Sequence, residues 1–349
     1  MLRLVLTRLS TSAIVLLAAV TATFLAVYAS PGHTVDLLLG EDRGNERLRA
    51  EVTALWGLDR PLLVQYAAYV LGLLRGDLGT SYQLRRPVVD VLGEQLGSTV
   101  LLTFTAFGLA VAIALTVAVL TSGRGGIVRR IASGAELVLL SIPSFWIGIV
   151  LLAVFAFQLG WFSVSGGNGW RSLALPALAL AIPIAGLLSQ VLREGLDRAL
   201  HEPFALTARS RGLSQLQVRS RHALRHASLP GLQIAGIVVG SLLGGAVIVE
   251  QVFGRPGLGG ITVEAVYAKD LPVVLGVGLV AAATFVIVST AVDLLSLVLD
   301  PRLRVASGRS RRAARPAATA TTAVVVAGSA PSSSVPGLEP DPLPEGASR

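Results

Sequence analysis

The chain has no cysteine and little charge. Because none of its 349 residues is cysteine, disulfide bonds, thiolate metal ligands and a cysteine nucleophile are excluded. Charged residues make up 14% of the chain, whereas ordinary soluble proteins carry about 25%. Lysine is almost missing, since Lys269 is the single lysine among 29 basic residues. These absences argue against an ordinary soluble protein.

A nucleotide-hydrolysing loop is also missing. Such a loop needs Gly-Lys-Ser/Thr after a glycine-rich turn, because the lysine must reach the phosphates. Lys269 lies between Ala268 and Asp270, so the motif is absent. The glycine-rich stretch 254–260 has no lysine, and a phosphate-binding interpretation of it is disfavoured. Any ATP that serves this protein must be hydrolysed by a separate subunit.

Long hydrophobic runs dominate what is present. Hydrophobic residues make up 53% of the chain, and its mean hydropathy is +0.70. Runs of roughly 20 residues with almost no charge are long enough to cross the hydrocarbon core of a bilayer. The predicted spans are residues 9–29, 99–121, 135–158, 173–192, 231–249 and 273–299. The predicted fold class is therefore an all-α membrane protein with six transmembrane helices.

The segments outside these runs differ in character. Residues 1–8 form a short N-terminus, and residues 30–98 are expected to form short extracytoplasmic helices on the membrane surface. Residues 99–304 form the predicted core, which includes the basic segment 193–229. Residues 305–349 are rich in Ala, Ser, Pro and Arg, so we expect a disordered cytoplasmic tail.

Proline and the first hydrophobic run raise two further points. The third predicted span contains Pro143, and the fourth is expected to be interrupted by Pro176 and Pro183. The run 9–29 could be a cleavable signal peptide, but it is long for one, so a retained span is favoured.

Arginine placement predicts the orientation. The basic stretches that would share one side are Arg3 with Arg8, 123–130, 193–229 and 302–312. By the positive-inside rule, both termini and both basic loops are cytoplasmic. Trp161 and Trp170 flank a glycine-rich turn at the opposite interface, where aromatic residues are enriched. The net charge of +8 therefore reflects topology and contact with anionic membrane lipid, and nucleic acid is not an expected partner.

The basic segment between spans 4 and 5 has the features of two short helices. Pro203 suits the first turn of a helix, and Gly212 can adopt the left-handed conformation that ends it. Ser214 then caps a second helix, with Gln217 as the capping-box partner. A hydrophobic protein that keeps such a segment in water is expected to meet a partner there.

The fifth run begins at Pro230, which is expected to end the preceding helix near Leu229. Along the run, Gly236, Gly240 and Gly244 recur every fourth residue and form a bare stripe on one helix face. Such a stripe lets another backbone approach closely, so these glycines are candidates for helix packing or for the pathway. The alternative is that glycine is simply common in membrane helices.

Candidate metal and ion sites are weak. His222 and His226 lie four residues apart and could share a metal, but without a third ligand a plain surface helix is favoured. Glu136, Glu250 and Asp293 lie at span ends, whereas an ion path would need charge at depth. We therefore expect no catalytic residue, metal or cofactor. An ion-coupled secondary transporter is disfavoured, although backbone atoms can also coordinate ions.

A series of motifs resembles one known family. The main stretch is Thr207-Ala208-Arg209-Ser210-Arg211-Gly212-Leu213-Ser214, followed by Arg221-His222-Ala223-Leu224-Arg225. The others are Leu58-Asp59-Arg60-Pro61 with Gln65-Tyr66, Gly76-Asp77-Leu78-Gly79, Ser141-Ile142-Pro143-Ser144-Phe145-Trp146, Gly245 through Gly259, and Asp300-Pro301-Arg302. Their order resembles the permease subunits of ABC importers of the oligopeptide/dipeptide/nickel group. The chain departs from that family at Leu206-Thr207-Ala208, where an acidic residue and two alanines are usual, and at His33-Thr34.

The resemblance implies a role and partners. It implies one of two six-span permease subunits of a peptide or related small-solute importer, in the plasma (inner) membrane of a bacterium. A homologous second permease subunit would complete the pathway, an extracytoplasmic solute-binding protein would deliver solute, and two ABC ATPase subunits would bind inside. The residues implied in ATPase contact are Thr207, Ala208, Arg209, Arg211, Gly212, Leu213, Ser214, Arg221 and His222. The competing interpretations are a secondary transporter that works without an ATPase and a membrane scaffold without transport.

Overall fold

The computed structural model describes residues 2–162 and 169–299, and regular structure there is helical apart from one bridge between Thr80 and Pro87. The helices are α1 Leu2–Ala29, α2 Thr34–Leu39, α3 Glu46–Trp56, α4 Leu62–Leu74, α5 Val88–Thr121, α6 Ile127–Ser141, α7 Ser144–Leu151, α8 Trp170–Leu200, α9 Pro203–Ser210, α10 Gln215–Gln217, α11 Leu224–Val252, α12 Leu258–Tyr267 and α13 Leu271–Leu299. A 3₁₀ segment, Gly40–Gly44, follows α2, and π-helical turns cover Leu152–Gln158 and Val218–Ala223. The motif at Asp300 and the predicted disordered tail lie outside the described residues.

Five described helices contain stretches that are long and apolar enough to cross a membrane, and a bent pair supplies a sixth. The five stretches are Ser10–Ala29, Val88–Thr121, Trp170–Leu200, Pro230–Val252 and Leu271–Val292. The bent pair joins Ile127–Ser141 to Ser144–Gln158 at 97°. The bend lies where Pro143 forces the preceding Ile142 into an extended conformation, φ −88° and ψ 124°. The third hydrophobic run thus ends at Gln158, as the sequence predicts, but its helix begins earlier, at Ile127, and turns sharply at the proline.

Two other helices run further than the hydrophobic pattern indicates. Helix α5 begins at Val88, eleven residues before the predicted span, and its first turns bury Val88, Val91 and Leu92. Helix α8 is continuous through both prolines, Pro176 and Pro183. A membrane helix tolerates proline where neighbouring helices and local adjustments satisfy the freed carbonyl groups.

Alanine forms the closest contact between two long helices. Alanine occurs at every fourth position of one face of α5, and alanines with the same spacing line α8. The fully buried set on α5 is Ala106, Ala110, Ala114 and Ala118, and the buried set on α8 is Ala177, Ala181 and Ala185. Small side chains let two helix backbones approach closely. The pairing of α5 with α8 is the most extensive helix contact in the described chain.

The segment between α1 and α5 is joined to the loop between α12 and α13. Lys269 Nζ donates to the carbonyl oxygens of Ser30 at 2.7 Å and Gly32 at 2.6 Å, just beyond the end of α1. Asp270 accepts hydrogen bonds from the hydroxyl and amides of the turn 81–83, at 2.5 to 3.1 Å. Both side chains are buried. The single lysine of the chain therefore joins the end of α1 to the start of α13.

A buried ion pair fastens α6 to α8. Arg193 donates to both carboxylate oxygens of Glu136, at 2.8 Å and 2.5 Å, and to Ser133 Oγ at 3.1 Å. Ser189 Oγ also donates to Glu136, at 2.8 Å. Glu136 is 3% exposed and Arg193 is 4% exposed. Arg193 therefore does not belong to the water-exposed basic segment in which the sequence places it, because its charge is neutralised inside the helix bundle.

This pair generates a stability prediction. Glu136→Met alone should destabilise the protein by about 3–5 kcal/mol, because it leaves the buried guanidinium of Arg193 without its counter-charge. The double variant Glu136→Met/Arg193→Met should recover most of that loss. Thermal unfolding in detergent measures both. A double variant that loses the sum of the two single effects would contradict this account of the pair.

Candidate functional site

The inter-span segment, defined here as residues 201–229, begins as the sequence predicts. Pro203 occupies the first turn of α9, and Gly212 has φ +82°, the left-handed conformation expected of it. Ser214 Oγ accepts from Gln217 N at 3.3 Å, and Ser214 N donates to Gln217 Oε1 at 2.9 Å. This is the predicted capping box. Local sequence chemistry therefore determines where each short helix ends and begins.

The second half of the inter-span segment continues into the next span without a break. From Gln215 the chain is helical through the π-helical turn Val218–Ala223 and on to Val252. The prediction that Pro230 ends this helix near Leu229 is wrong, since Pro230 lies inside α11. Helices α10 and α11 are thus joined by helical backbone without an intervening loop.

The inner face of the inter-span segment is built of small apolar residues. Ala205, Ala208 and Val218 are buried. They share one cluster with Leu196 and Leu200 of α8 and with alanines of α5. Ala208, one of the residues implied in ATPase contact, is therefore on the buried face and holds α9 against the bundle. One face of the segment is therefore packed against the bundle along both short helices.

Most of the other predicted residues lie on the outer face. The exposed ones are Thr207, Arg209, Arg211, Gly212, Ser214, Arg221 and His222, and Leu213 is half-buried. Sequence reasoning missed two exposed leucines, Leu206 at 68% and Leu216 at 53%. The sequence offered a signal for Leu206, because it does not lie on the helix face that carries Ala205 and Ala208.

One arginine of the inter-span segment behaves differently from its neighbours. Arg219 is buried, and its Nη1 lies 3.5 Å from the carbonyl oxygen of Val119 in α5. Burial lowers the pKa of Arg219; Arg124 and Arg209 lower it further, whereas Asp197 raises it. The basic segment thus has an interior cation as well as an exposed set.

Of the three histidines in the inter-span segment, the two that lie four residues apart have different environments. The His226 ring stacks on Phe204, with centroids 4.8 Å apart and planes at 25°, whereas His222 is exposed. Across residues 2–162 and 169–299, no three His, Cys, Asp or Glu side chains converge in a group that could hold a metal ion. His226 contributes to packing between α9 and α11.

The glycines of α11 meet different surroundings. A Cβ on Gly236 would lie 3.2 Å from Val292, and one on Gly240 would lie 2.7 Å from Phe285, both in α13. Gly244 has open space, with nothing within 4 Å of such a Cβ. Side chains of α13, and not its backbone, fill the space beside Gly236 and Gly240, whereas Gly244 faces outward.

The glycine-rich stretch after α11 encloses a carboxylate of this chain. Glu250 accepts from Gly259 N at 2.8 Å and from Thr99 Oγ1 at 2.7 Å, and Leu258 N donates to the same threonine at 2.9 Å. A Cβ on Gly257 would lie 2.3 Å from this carboxyl group. Glycine is required here for close approach. The amide of Gly259, at the positive N-terminal end of α12, therefore already binds a carboxylate of this chain.

Comparison with known families and proteins covers nearly the whole chain. The model of the binding-protein-dependent transport system inner membrane component matches residues 93–305, and the model of its N-terminal part matches residues 1–103. A putative peptide transport system permease protein of Brucella abortus is 34% identical over 313 residues, 86% of this chain and 98% of that protein. The glutathione transport system permease protein GsiC of Salmonella typhimurium is 33% identical over 310 residues, 87% and 99% of the two chains.

Two solved ABC transporter structures align with part of the chain. The inward-facing MetNI methionine ABC transporter aligns with 60% of this chain and 96% of that one, at 20% identity and a TM-score of 0.49. An amino acid ABC transporter aligns with a TM-score of 0.46 at 19% identity, over 60% and 94% of the two chains. The family matches and the relatives together lead to one conclusion. The chain belongs to the binding-protein-dependent transport system inner membrane component family, and it is a permease subunit of an ABC importer.

Proposed function

We propose that this permease subunit serves a peptide importer and that its inter-span segment docks an ATPase subunit on the cytoplasmic side. The relatives named above are peptide and glutathione transport permeases, and glutathione is itself a small peptide. The observation that carries the docking proposal is the exposure of Leu206 and Leu216 on a segment whose opposite face is firmly packed.

The outer face of the inter-span segment has the composition of a binding surface. Exposed leucines surrounded by arginines fit an apolar groove with an acidic rim, since interfaces combine a desolvated apolar centre with a polar edge. Arg209, Arg211 and Arg221 supply the charge. These arginines also contact anionic lipid or fix topology, but neither role needs two exposed leucines outside the membrane spans.

The proposed orientation follows from both ends of the bundle. The loop after α5 and the start of α6 carry exposed Arg124, Arg129 and Arg130, and α8 delivers the chain from the opposite end into the inter-span segment. Trp161 and Trp170 lie at that opposite end and are exposed, as expected of interfacial aromatic residues. The N-terminus and the inter-span segment are then both cytoplasmic.

The proposed mechanism is a transfer of movement. Closure of the ATPase subunits displaces the docked inter-span segment, and this displacement passes into α8 and α11 because both are continuous or nearly continuous with it. Rigid helices that rock about a fixed interface convert such a displacement into alternating access. The permease chain supplies movement, and the chemistry belongs to its ATPase partners.

Exposed surfaces support proposed positions for the remaining partners. The outward face of α11, with Gly244 and the exposed Ile237 and Ile248, is available to a homologous second permease subunit. At the extracytoplasmic end, a cavity of about 530 Å³ opens beside Glu264 and Asp270. This end is where a solute-binding protein would dock.

Orientation can be tested directly because the chain has no cysteine. We expect Ser210→Cys to react with a membrane-impermeant maleimide only from the cytoplasmic side, and Leu55→Cys only from the outside. Intact cells and inside-out vesicles give the two accessibilities. Reaction of Ser210→Cys in intact cells would reverse the proposed topology.

Docking can be tested on the exposed leucines. The double variant Leu206→Ser/Leu216→Ser should weaken ATPase-subunit binding by at least about tenfold, since each leucine buried at an interface contributes roughly 1.5–3 kcal/mol. Pull-down of the detergent-solubilised permease measures this. Leu55→Ser is the matched control, because Leu55 is 73% exposed on the predicted outer side. Equal binding by all three proteins would remove the leucines from the interface.

The left-handed turn provides a separate test. Gly212→Pro cannot keep φ at +82° and also loses the donor of the 3.0 Å bond from Gly212 N to Arg209 O. We expect loss of ATPase binding or of coupled uptake with normal membrane insertion. Gly212→Ala, which retains the donor, should cost about 1 kcal/mol and keep binding. Normal uptake by Gly212→Pro would contradict a role for this turn.

A further inference from the structure

Arg219 joins the inter-span segment to a helix that is remote in sequence. It lies in the π-helical turn Val218–Ala223, and its Nη1 is 3.5 Å from the carbonyl oxygen of Val119, near the inner end of α5. Its Nη2 lies 3.2 Å from the point where a Cβ on Gly123 would be. The guanidinium therefore fills the space under the end of α5.

Packing alone does not account for an arginine at this position. Arg219 is 7% exposed, and its Nε is buried without a hydrogen-bond partner. Arg124 and Arg209 add like charge nearby. An apolar side chain of similar volume would avoid the desolvation of a cation and the unpaired donor.

The surroundings of Arg219 show what the charge contributes. The last carbonyl groups of a helix lack intrahelical donors, and a cation at that end interacts favourably with the helix dipole. Asp197, in the last turn of α8, accepts from Gly123 N at 2.7 Å and attracts the guanidinium electrostatically. Three elements thus meet here: the end of α5, the end of α8 and the π-helical turn.

Helix α5 is the span that needs such a connection. Helices α8 and α11 are linked to the inter-span segment along the chain, whereas α5 is separated from Arg219 by a hundred residues. At its outer half, α5 carries Thr99, which bonds to Glu250 and accepts from Leu258 N at the start of α12. Thr99 therefore connects α5 by hydrogen bonds to the loop between α11 and α12.

We propose that Arg219 is a positioning residue for energy coupling. It transmits displacement of the inter-span segment to α5, and through α5 to the loop after α11, which encloses the carboxylate of Glu250. The inference rests on the proposed docking of an ATPase subunit by the inter-span segment. The proposal adds α5 as a third moving span to α8 and α11, which continue the inter-span segment along the chain.

The first experiment compares Arg219→Met with Arg130→Met, which removes an exposed arginine from α6. The complete transporter is reconstituted in proteoliposomes, and ATPase-subunit binding, ATP hydrolysis and peptide uptake are measured. For Arg219→Met we expect unchanged binding and uptake per ATP reduced about fivefold to tenfold. Arg219→Lys, which keeps the charge at the end of α5, should recover part of the ratio. Arg130→Met should match the wild type.

The second experiment measures movement. Spin labels at Gly125→Cys and Ser220→Cys, both exposed positions, report the distance between the end of α5 and the π-helical turn. In the wild type this distance should stay the same with and without trapped ATP, because the two elements move together. With Arg219→Met it should change or broaden when ATP is trapped.

The outcomes separate the two proposals. A wild-type permease that binds no ATPase through the inter-span segment overturns the proposed function. Normal binding with an unchanged uptake-to-ATP ratio and an unchanged distance in Arg219→Met overturns only the role of Arg219. If Arg219→Met fails to assemble, Gly123→Ala replaces it, because its Cβ would press on Leu200 at 3.0 Å and on Arg219 at 3.2 Å. The same two readouts then decide.

Discussion

The close approach of α5 and α8 is the contact on which the rest of this structure depends. Inside a bilayer, association of helices gains little from excluding water, so it relies on shape and on van der Waals contact. Alanines at every fourth position, from Ala106 to Ala118, give α5 a smooth face for α8. The inner face of the inter-span segment packs on one end of this same pair. The segment therefore contacts both helices at once.

Buried charges fasten the loops to this bundle. Glu136 with Arg193 ties α6 to α8, Glu250 ties α5 and α11 to α12, and Lys269 and Asp270 tie the segment between α1 and α5 to α13. Each charged group binds atoms of a different element, and the unpaired alternative is expensive in a low-dielectric interior. These contacts specify which ends meet. They also explain why a chain with one lysine keeps it buried beside two carbonyl oxygens.

Conformational change must respect both kinds of contact. Opening a charged tie would cost its hydrogen bonds, whereas the contact between α5 and α8 depends on shape and van der Waals packing. Arg219 differs from the other buried charges because its partners are incomplete. A group that is poorly satisfied in one arrangement is suited to a place where elements shift relative to each other.

The amino-acid sequence determined what depends on near neighbours along the chain. The apolar spans, the turn at Gly212 and the cap at Ser214 follow from hydrophobic length and from interactions within four residues, and sequence reasoning located each of them. Tertiary structure decided the size of the bend at Pro143, the continuity of the helix through Pro230, and the burial of Arg193 and Arg219. These depend on partner atoms of residues 57 and 100 positions away in the chain, or on how neighbouring helices accommodate a proline. No periodicity within one segment reveals such partners, because folding alone brings them together.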